Sequence, residues 1–402
     1  MIYLDNAAST AVHPEVVKAM LPYFDVQYGN PSSIHQFGRK AKNAIQKARK
    51  QVAALIGAEP EEILFTSGGT ESNNTILYGI PKLHESNAII TDPDGSGNFE
   101  LGNNHAITSS IEHEAILEPC KKLEEIGFKV TYISVDEYGV VDSNDIADSI
   151  TENTVLVSIM FANNEIGTIQ PIKEISEICK KYQVPLHTDA VQAIGKIPIN
   201  VKDLGIDALS ISSHKINGPK GVGALFIKKD LTVYPEILGG GQENGMRSGT
   251  ENVASIVGFG KACEIAKERL NENISHFKKL HSSMLERITK EISHVKLNGH
   301  PEKRIFNNIH LTFMGVNGED LIIKLDEYGI AASTGSACSI HTQKASHVLK
   351  AMGFNHEQIT GSLRMSFGYL NTLDEVEQTI DVLKKVVSEL RSVSPYKTKY
   401  NF

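Results

Sequence analysis

From Glu62 to Phe226 the chain repeats one pattern, in which short continuous apolar runs (EILF, AITSS, FKVTYISV, TVLVSIMF, VPLHTDA, ALSISS) alternate with loops and amphipathic helical segments. Apolar runs of this length are buried on both faces, so the pattern predicts an α/β fold with a mostly parallel sheet flanked by helices. In such a sheet the loops that follow the strands gather at its carboxyl edge, where ligands bind. Beyond this region come a long charged helical stretch from Val253 to Ile292, a strand (NNIHLTF), a helix from Glu319 to Tyr328, the strand-like SLRMSFG and an amphipathic helix from Leu373 to Arg391. That order predicts a smaller α+β domain. A chain of 402 residues with 41% hydrophobic composition is long enough for both, so the expected division is a large domain over 13–256 and a small domain made of 1–12 and 257–402.

The loops at the predicted sheet edge carry the chemistry. Lys215 sits in SISSHKINGPKG, between two apolar runs and next to a turn rich in Gly and Pro. A lysine is a poor nucleophile at its usual pKa of about 10.4, so a reactive one must be held where the neutral amine or an imine is favoured. Asp189 ends the apolar run of HTDAVQA, where an unpaired carboxylate is costly, and Gln192 follows three residues later. Asp189 on its own fits a helix N-cap equally well. Together with Lys215 it fits a pyridoxal phosphate site. Lys215 would form the imine, Asp189 would hold the pyridinium nitrogen protonated, and Gln192 would hydrogen-bond the phenolic oxygen. Gly69 and Thr70, in TSGGTESNN ahead of a helix, would then hold the phosphate with Ser212 and His214, while His113 in SIEHEA could stack on the ring and move protons.

Eight motifs in order, SGGTESNN, SIEHEA, NNEIGTIQPI, HTDAVQAIGK, SSHKINGPKGVGAL, GGGQENGMRSGTEN, STGSACS and LRMSFG, resemble the cysteine desulfurases of the NifS/IscS kind, which are class-V aminotransferase-like, fold-type I pyridoxal phosphate enzymes. The resemblance runs nearly end to end. It implies that Lys215 carries the cofactor, that Asn164 joins Asp189, Gln192 and His113 around it, and that Thr250 reaches the phosphate from the partner subunit of a homodimer. It assigns Arg364 to the carboxylate of the substrate, L-cysteine, a role that suits a planar, permanently charged fork, although a structural ion pair would also explain an arginine flanked by apolar residues. It further implies that Cys338 attacks the substrate sulfur, leaving alanine and a persulfide on Cys338 for a sulfur-acceptor protein. Both iron–sulfur cluster assembly and tRNA or cofactor thiolation are open as destinations. A selenocysteine lyase or another class-V aminotransferase-like enzyme would keep Lys215 and Asp189 without requiring Cys338, and a non-enzymatic sulfur carrier would need neither.

Cys338 lies in a Gly- and Ser-rich loop, whereas Cys120, Cys179 and Cys263 fall in helical segments as small buried hydrophobes. Their dispersal forms neither a disulfide framework nor a metal pair, which suits the cytoplasm. With a net charge of -8 and a pI near 6.0, the chain is not expected to bind nucleic acid directly. No leader and no membrane-spanning run are expected. Asp92, Asp94 and Ser96 alternate like the start of a calcium loop, but the twelfth position is Asn103 instead of Glu, so a polar surface hairpin is expected there and no metal.

Overall fold

The computed structural model describes residues 1–82, 89–90, 99–100, 104–335 and 345–400. Its strands are β1 (Ile2–Tyr3), β2 (Ile63–Thr66), β3 (Ile89–Ile90), β4 (Phe99–Glu100), β5 (His105–Ser109), β6 (Lys129–Ile133), β7 (Thr154–Ser158), β8 (Leu186–Asp189), β9 (Ala208–Ser212), β10 (Gly223–Ile227), β11 (Val295–Leu297), β12 (Asn308–Phe313), β13 (Ile330–Ala331) and β14 (Ser362–Ser366). Seven of them make one sheet in the order β2-β10-β9-β8-β7-β5-β6. The strands from β9 to β6 run parallel, and β10 is antiparallel to both of its neighbours, β2 and β9.

Side chains alternate across this sheet, as a period of two requires. Phe65, Leu209, Ile211, Ala224 and Phe226 enter one core, with Ile45 and Val52 of the helix Gln36–Ile56 and Phe259 of the helix Val253–Glu268. Leu64, Ala208 and Leu225 enter another, with Ile76 and Leu77 of the helix Gly69–Gly79 and Ile116 and Leu123 of the helix Glu114–Glu125. Every residue of β5, β7, β8 and β9 is buried, which is why their sequences read as unbroken apolar or small-polar runs.

A second, antiparallel sheet, β11-β12-β14, packs against the helices Leu270–Glu291 and Leu373–Ser392 around Phe277, Met284, Leu311, Leu363 and Leu383. The N-terminal arm joins this body, because β1 pairs in parallel with β13 and Leu4 is fully buried in the same core. One expectation needs correction here: Val253 to Ile292 is not a continuous helix but breaks at Arg269. The break separates two sets of apolar anchors, Phe259 and Cys263 packing under the large sheet and Phe277 and Leu280 under the small one.

β3 and β4 pair antiparallel across the segment that carries Asp92 and Asp94, while Asp92, Asp94, Ser96 and Asn103 themselves lie outside the described residues. Among the described residues no helix is long and apolar enough to cross a membrane.

Candidate active site

The parallel strands deliver their carboxyl ends to one place. β8 ends at Asp189, β9 ends at Ser212, and a single 3-10 turn, Ser213–Lys215, follows β9 before the chain returns through β10. The return is tight: a Cβ at Gly218 would stand 2.0 Å from Ser213 Oγ, and one at Gly223 would stand 2.7 Å from Gly68 Cα, so glycine lets β10 pass under the start of the helix Gly69–Gly79. Gly69, Thr70, His113, Asn164, Asp189, Gln192, Ser212, His214, Lys215 and Arg364 all line one cavity of about 250 Å³. Thr250 is exposed and does not line it. Cys338 lies outside the described residues, but Gly335, three residues before it, is at the cavity wall.

Asp189 is 7% exposed and both of its oxygens are occupied by neutral donors, Oδ1 by the Val191 N–H at 2.9 Å and Oδ2 by Asn73 Nδ2 at 2.7 Å. Among the described residues no cation pairs with it. The segment after Asp189 is a run of turns instead of a helix, so the N-cap alternative does not apply. His113 caps the helix Glu114–Glu125, its Nδ1 accepting the Ala115 N–H at 3.0 Å. That bond leaves Nε2 as the protonated nitrogen of the neutral ring. Burial lowers the ring's pKa, with Asp189 opposing and Lys215 reinforcing the change. His214 is pushed down to about 4 by burial and by Lys215, so it is neutral at the cavity wall.

The N-terminal arm closes the site, a part that motif reading missed. Lys215 Nζ donates to the carbonyls of Ala7 at 2.5 Å and Ala8 at 2.8 Å, and Thr10 Oγ1 donates to the carbonyl of His214 at 2.8 Å. Arg364, on β14 and 2% exposed, pairs with Asp5 Oδ1 at 2.9 Å and donates to the carbonyls of Asn164 at 3.0 Å and Gly335 at 3.3 Å. Among the described residues its Nε has no hydrogen-bond partner. Gln192 Nε2 donates to the same Ala7 carbonyl at 2.9 Å, and Lys196 Nζ donates back to Gln192 Oε1 at 3.1 Å. LDNAAST reads as an extended arm in sequence, and only its small residues, which permit close approach, hint at this contact.

Glu112, adjacent to His113, is fully buried, and burial pushes its carboxyl up to about 8. Its Oε1 accepts from Ser109 Oγ at 2.6 Å and from the Met160 N–H at 2.9 Å. The folded protein therefore holds a proton that the unfolded chain releases near 4.5, and the stability so contributed is present below 4.5 and lost as the pH rises to about 8. Glu112→Gln keeps an acceptor for Ser109 without a titrating group. Its melting temperature should gain on the parent protein progressively between about pH 5 and about pH 8, as read by thermal melts across that range. A difference that does not change with pH would contradict this.

The comparisons with known proteins agree with the geometry. Residues 2–379 match the Aminotransferase class-V family. The chain is 47% identical to the cysteine desulfurase IscS of Dictyoglomus turgidum over 99% of its length and 98% of that protein, and 49% identical to the cysteine desulfurase IscS of Methanosarcina thermophila over 99% and 95%. Among solved structures, a NifS-like protein superposes with a TM-score of 0.88 at 38% identity, covering 96% of this chain and 99% of that one. A structure described as SspA in complex with cysteine gives 0.78 at 35%, covering 91% and 99%. With its matched length, its mostly parallel sheet and its lysine and aspartate at the sheet's carboxyl edge, the chain belongs to the class-V aminotransferase family, among the cysteine desulfurases of the NifS/IscS kind.

Proposed function

We propose that this protein is a pyridoxal phosphate-dependent cysteine desulfurase that takes sulfur from L-cysteine, releases L-alanine and leaves the sulfur as a persulfide on Cys338. The observation that carries the reading is Asp189, a buried carboxylate with only neutral donors, in the same cavity as Lys215. A carboxylate in that setting calls for a cation, and a protonated ring nitrogen is one. Pyridoxal phosphate fits the remaining wall. Lys215 would hold its aldehyde carbon, Gln192 its phenolic oxygen, and Gly69, Thr70, Ser212 and His214 its phosphate at the N-terminus of the helix Gly69–Gly79. Bound there, the cofactor supplies an electron sink for cleavage of the substrate's carbon–sulfur bond.

The chain's own groups do the rest. His113 offers an Nε2 proton at the cavity wall, and Lys215 would be the amine that moves a proton there. Arg364 binds the substrate carboxylate with its fork, the Asp5 contact orienting the guanidinium. Cys338 follows three residues after Gly335, which lines the cavity. Conversion of L-cysteine to alanine, with sulfide released on adding a thiol reductant, tests the reading; a cofactor-loaded protein that makes neither would overturn it.

Arg364→Lys keeps a charge but loses the fork, so KM for cysteine should rise about 10- to 100-fold, with a smaller change in kcat. Steady-state kinetics on the loaded variant decide this, and an unchanged KM would leave Arg364 as a structural partner of Asp5 alone.

The domain division at residues 13–256 and the homodimer belong to the same reading. Leu21, Phe24, Val26, Tyr28 and Ile34 are exposed close together in sequence, Ile34 at 90%, and a second subunit would cover such an apolar stretch. Thr250 of the partner subunit would then complete the phosphate site. The enzyme would act in the cytoplasm, handing its persulfide to an acceptor protein.

A further inference from the structure

We propose that Lys196 is a positioning residue for the cofactor, holding the Gln192 side-chain amide in the orientation that turns its nitrogen toward Ala7 and the cavity; this rests on the pyridoxal phosphate reading above. Lys196 is 8% exposed, and its Nζ makes two hydrogen bonds, both to Gln192, one to the backbone carbonyl at 2.9 Å and one to Oε1 at 3.1 Å. In its charged form Lys196 can only donate, so the atom of the amide that faces it is then oxygen. A carbonyl can only accept, so the atom that faces Ala7 O at 2.9 Å must be nitrogen. The two constraints agree and fix the amide without reference to any ligand. Of the two Nε2 hydrogens, one is used on Ala7 and the second is available to an oxygen in the cavity.

Lys196 has no obvious reason to be there for the fold. Among the described residues Lys196 Nζ bonds to Gln192 and no carboxylate pairs with it, and a buried ammonium without a counter-charge is costly. Its charged neighbours Lys215, Arg364 and Arg269 are basic. Burial, then Lys215 and Arg364, lower its pKa to about 7, and His13 and Arg269 line a small cavity of about 40 Å³ that also reaches Lys196 and Lys215. The same Ala7 carbonyl accepts from Lys215 Nζ, so Lys196 is linked to the cofactor-bearing lysine through Gln192 and one backbone oxygen.

The consequence is a tuning of the bound cofactor. A donor on the phenolic oxygen and a nearby cation both disfavour the protonated form of the Lys215-linked cofactor, so removing Lys196 should raise the pH midpoint of its visible absorption. The test uses the cofactor-loaded protein, and reads the absorption midpoint and the melting temperature of Lys196→Met, Gln192→Ala and the double variant. Lys196→Met should raise the midpoint by about one pH unit and leave the melting temperature equal or higher, while in the Gln192→Ala background the same change should produce a clearly smaller shift. An unchanged midpoint, an equal shift in both backgrounds, or a fall in melting temperature with no spectral change would each overturn the assignment. Should methionine not be tolerated, Lys196→Gln runs through the same cycle with a smaller expected shift and the same deciding comparison. Failure of the pyridoxal phosphate reading itself would look different, since the unmutated protein would then show no visible band.

Discussion

Lys215→Ala is expected to lower alanine release from cysteine at least about 1000-fold and to abolish covalent retention of the cofactor. Borohydride reduction followed by mass spectrometry should add the cofactor's mass to the peptide containing Lys215 in the parent protein and to no peptide in the variant. The size of the effect follows from the two tasks proposed for one amine, holding the cofactor and moving a proton, since positioned proton transfer alone is worth about 100- to 10,000-fold. The fold should survive. Ala7 O keeps its bond from Gln192, so among the described residues only the Ala8 carbonyl is left without a second donor. A variant that still fixes the cofactor on reduction would place the attachment elsewhere.

Cys338→Ala is expected to load cofactor normally, to show a spectral response to cysteine, and yet to lose alanine release by at least about 1000-fold, as removal of a nucleophile does in other enzymes. Labelled sulfur should appear on the parent protein after cysteine and not on the variant. The other three cysteines cannot substitute. Cys120 and Cys179 are buried in helices with their thiols pushed up to about 12, and Cys263 is buried and raised as well, so almost none of the reactive thiolate exists at neutral pH. Alanine release above a tenth of the parent rate from Cys338→Ala would remove that residue from the mechanism.

Much of this architecture is legible in the sequence, for physical reasons. Strands buried on both faces must be continuously apolar or small, so β5, β7, β8 and β9 announce themselves, and their order with the helices between them implies a parallel sheet. Residues whose chemistry is costly without a partner, such as Asp189 on a buried strand, stand out for the same reason. What the sequence hides is contact between distant segments. Nothing in LDNAAST says that Asp5 meets Arg364 or that two alanine carbonyls receive Lys215, because backbone acceptors carry no residue signature. Lys196 carries no signal in the sequence beyond its place after a glycine; its burial depends on how the turn at 190–195 folds under the arm. The helix break at Arg269 is equally silent, since the stretch on both sides has helical composition and only the presence of two separate cores divides it.

The arm also sets an order of events during synthesis. Asp5 and Arg364 are 359 positions apart, and at ribosomal rates of about 5–20 residues per second the arm emerges roughly 20 to 70 seconds before the strand that receives it. Only once β10 is complete at Ile227, 137 positions before Arg364, can Lys215 and Asp189 occupy a folded sheet, where Gln192 and His214 already receive Ala7 and Thr10 while Asp5 still lacks its partner. The nascent polypeptide therefore carries Lys215 and Asp189 well before Arg364 exists to receive Asp5, and that wall of the pocket closes only after β14 is translated.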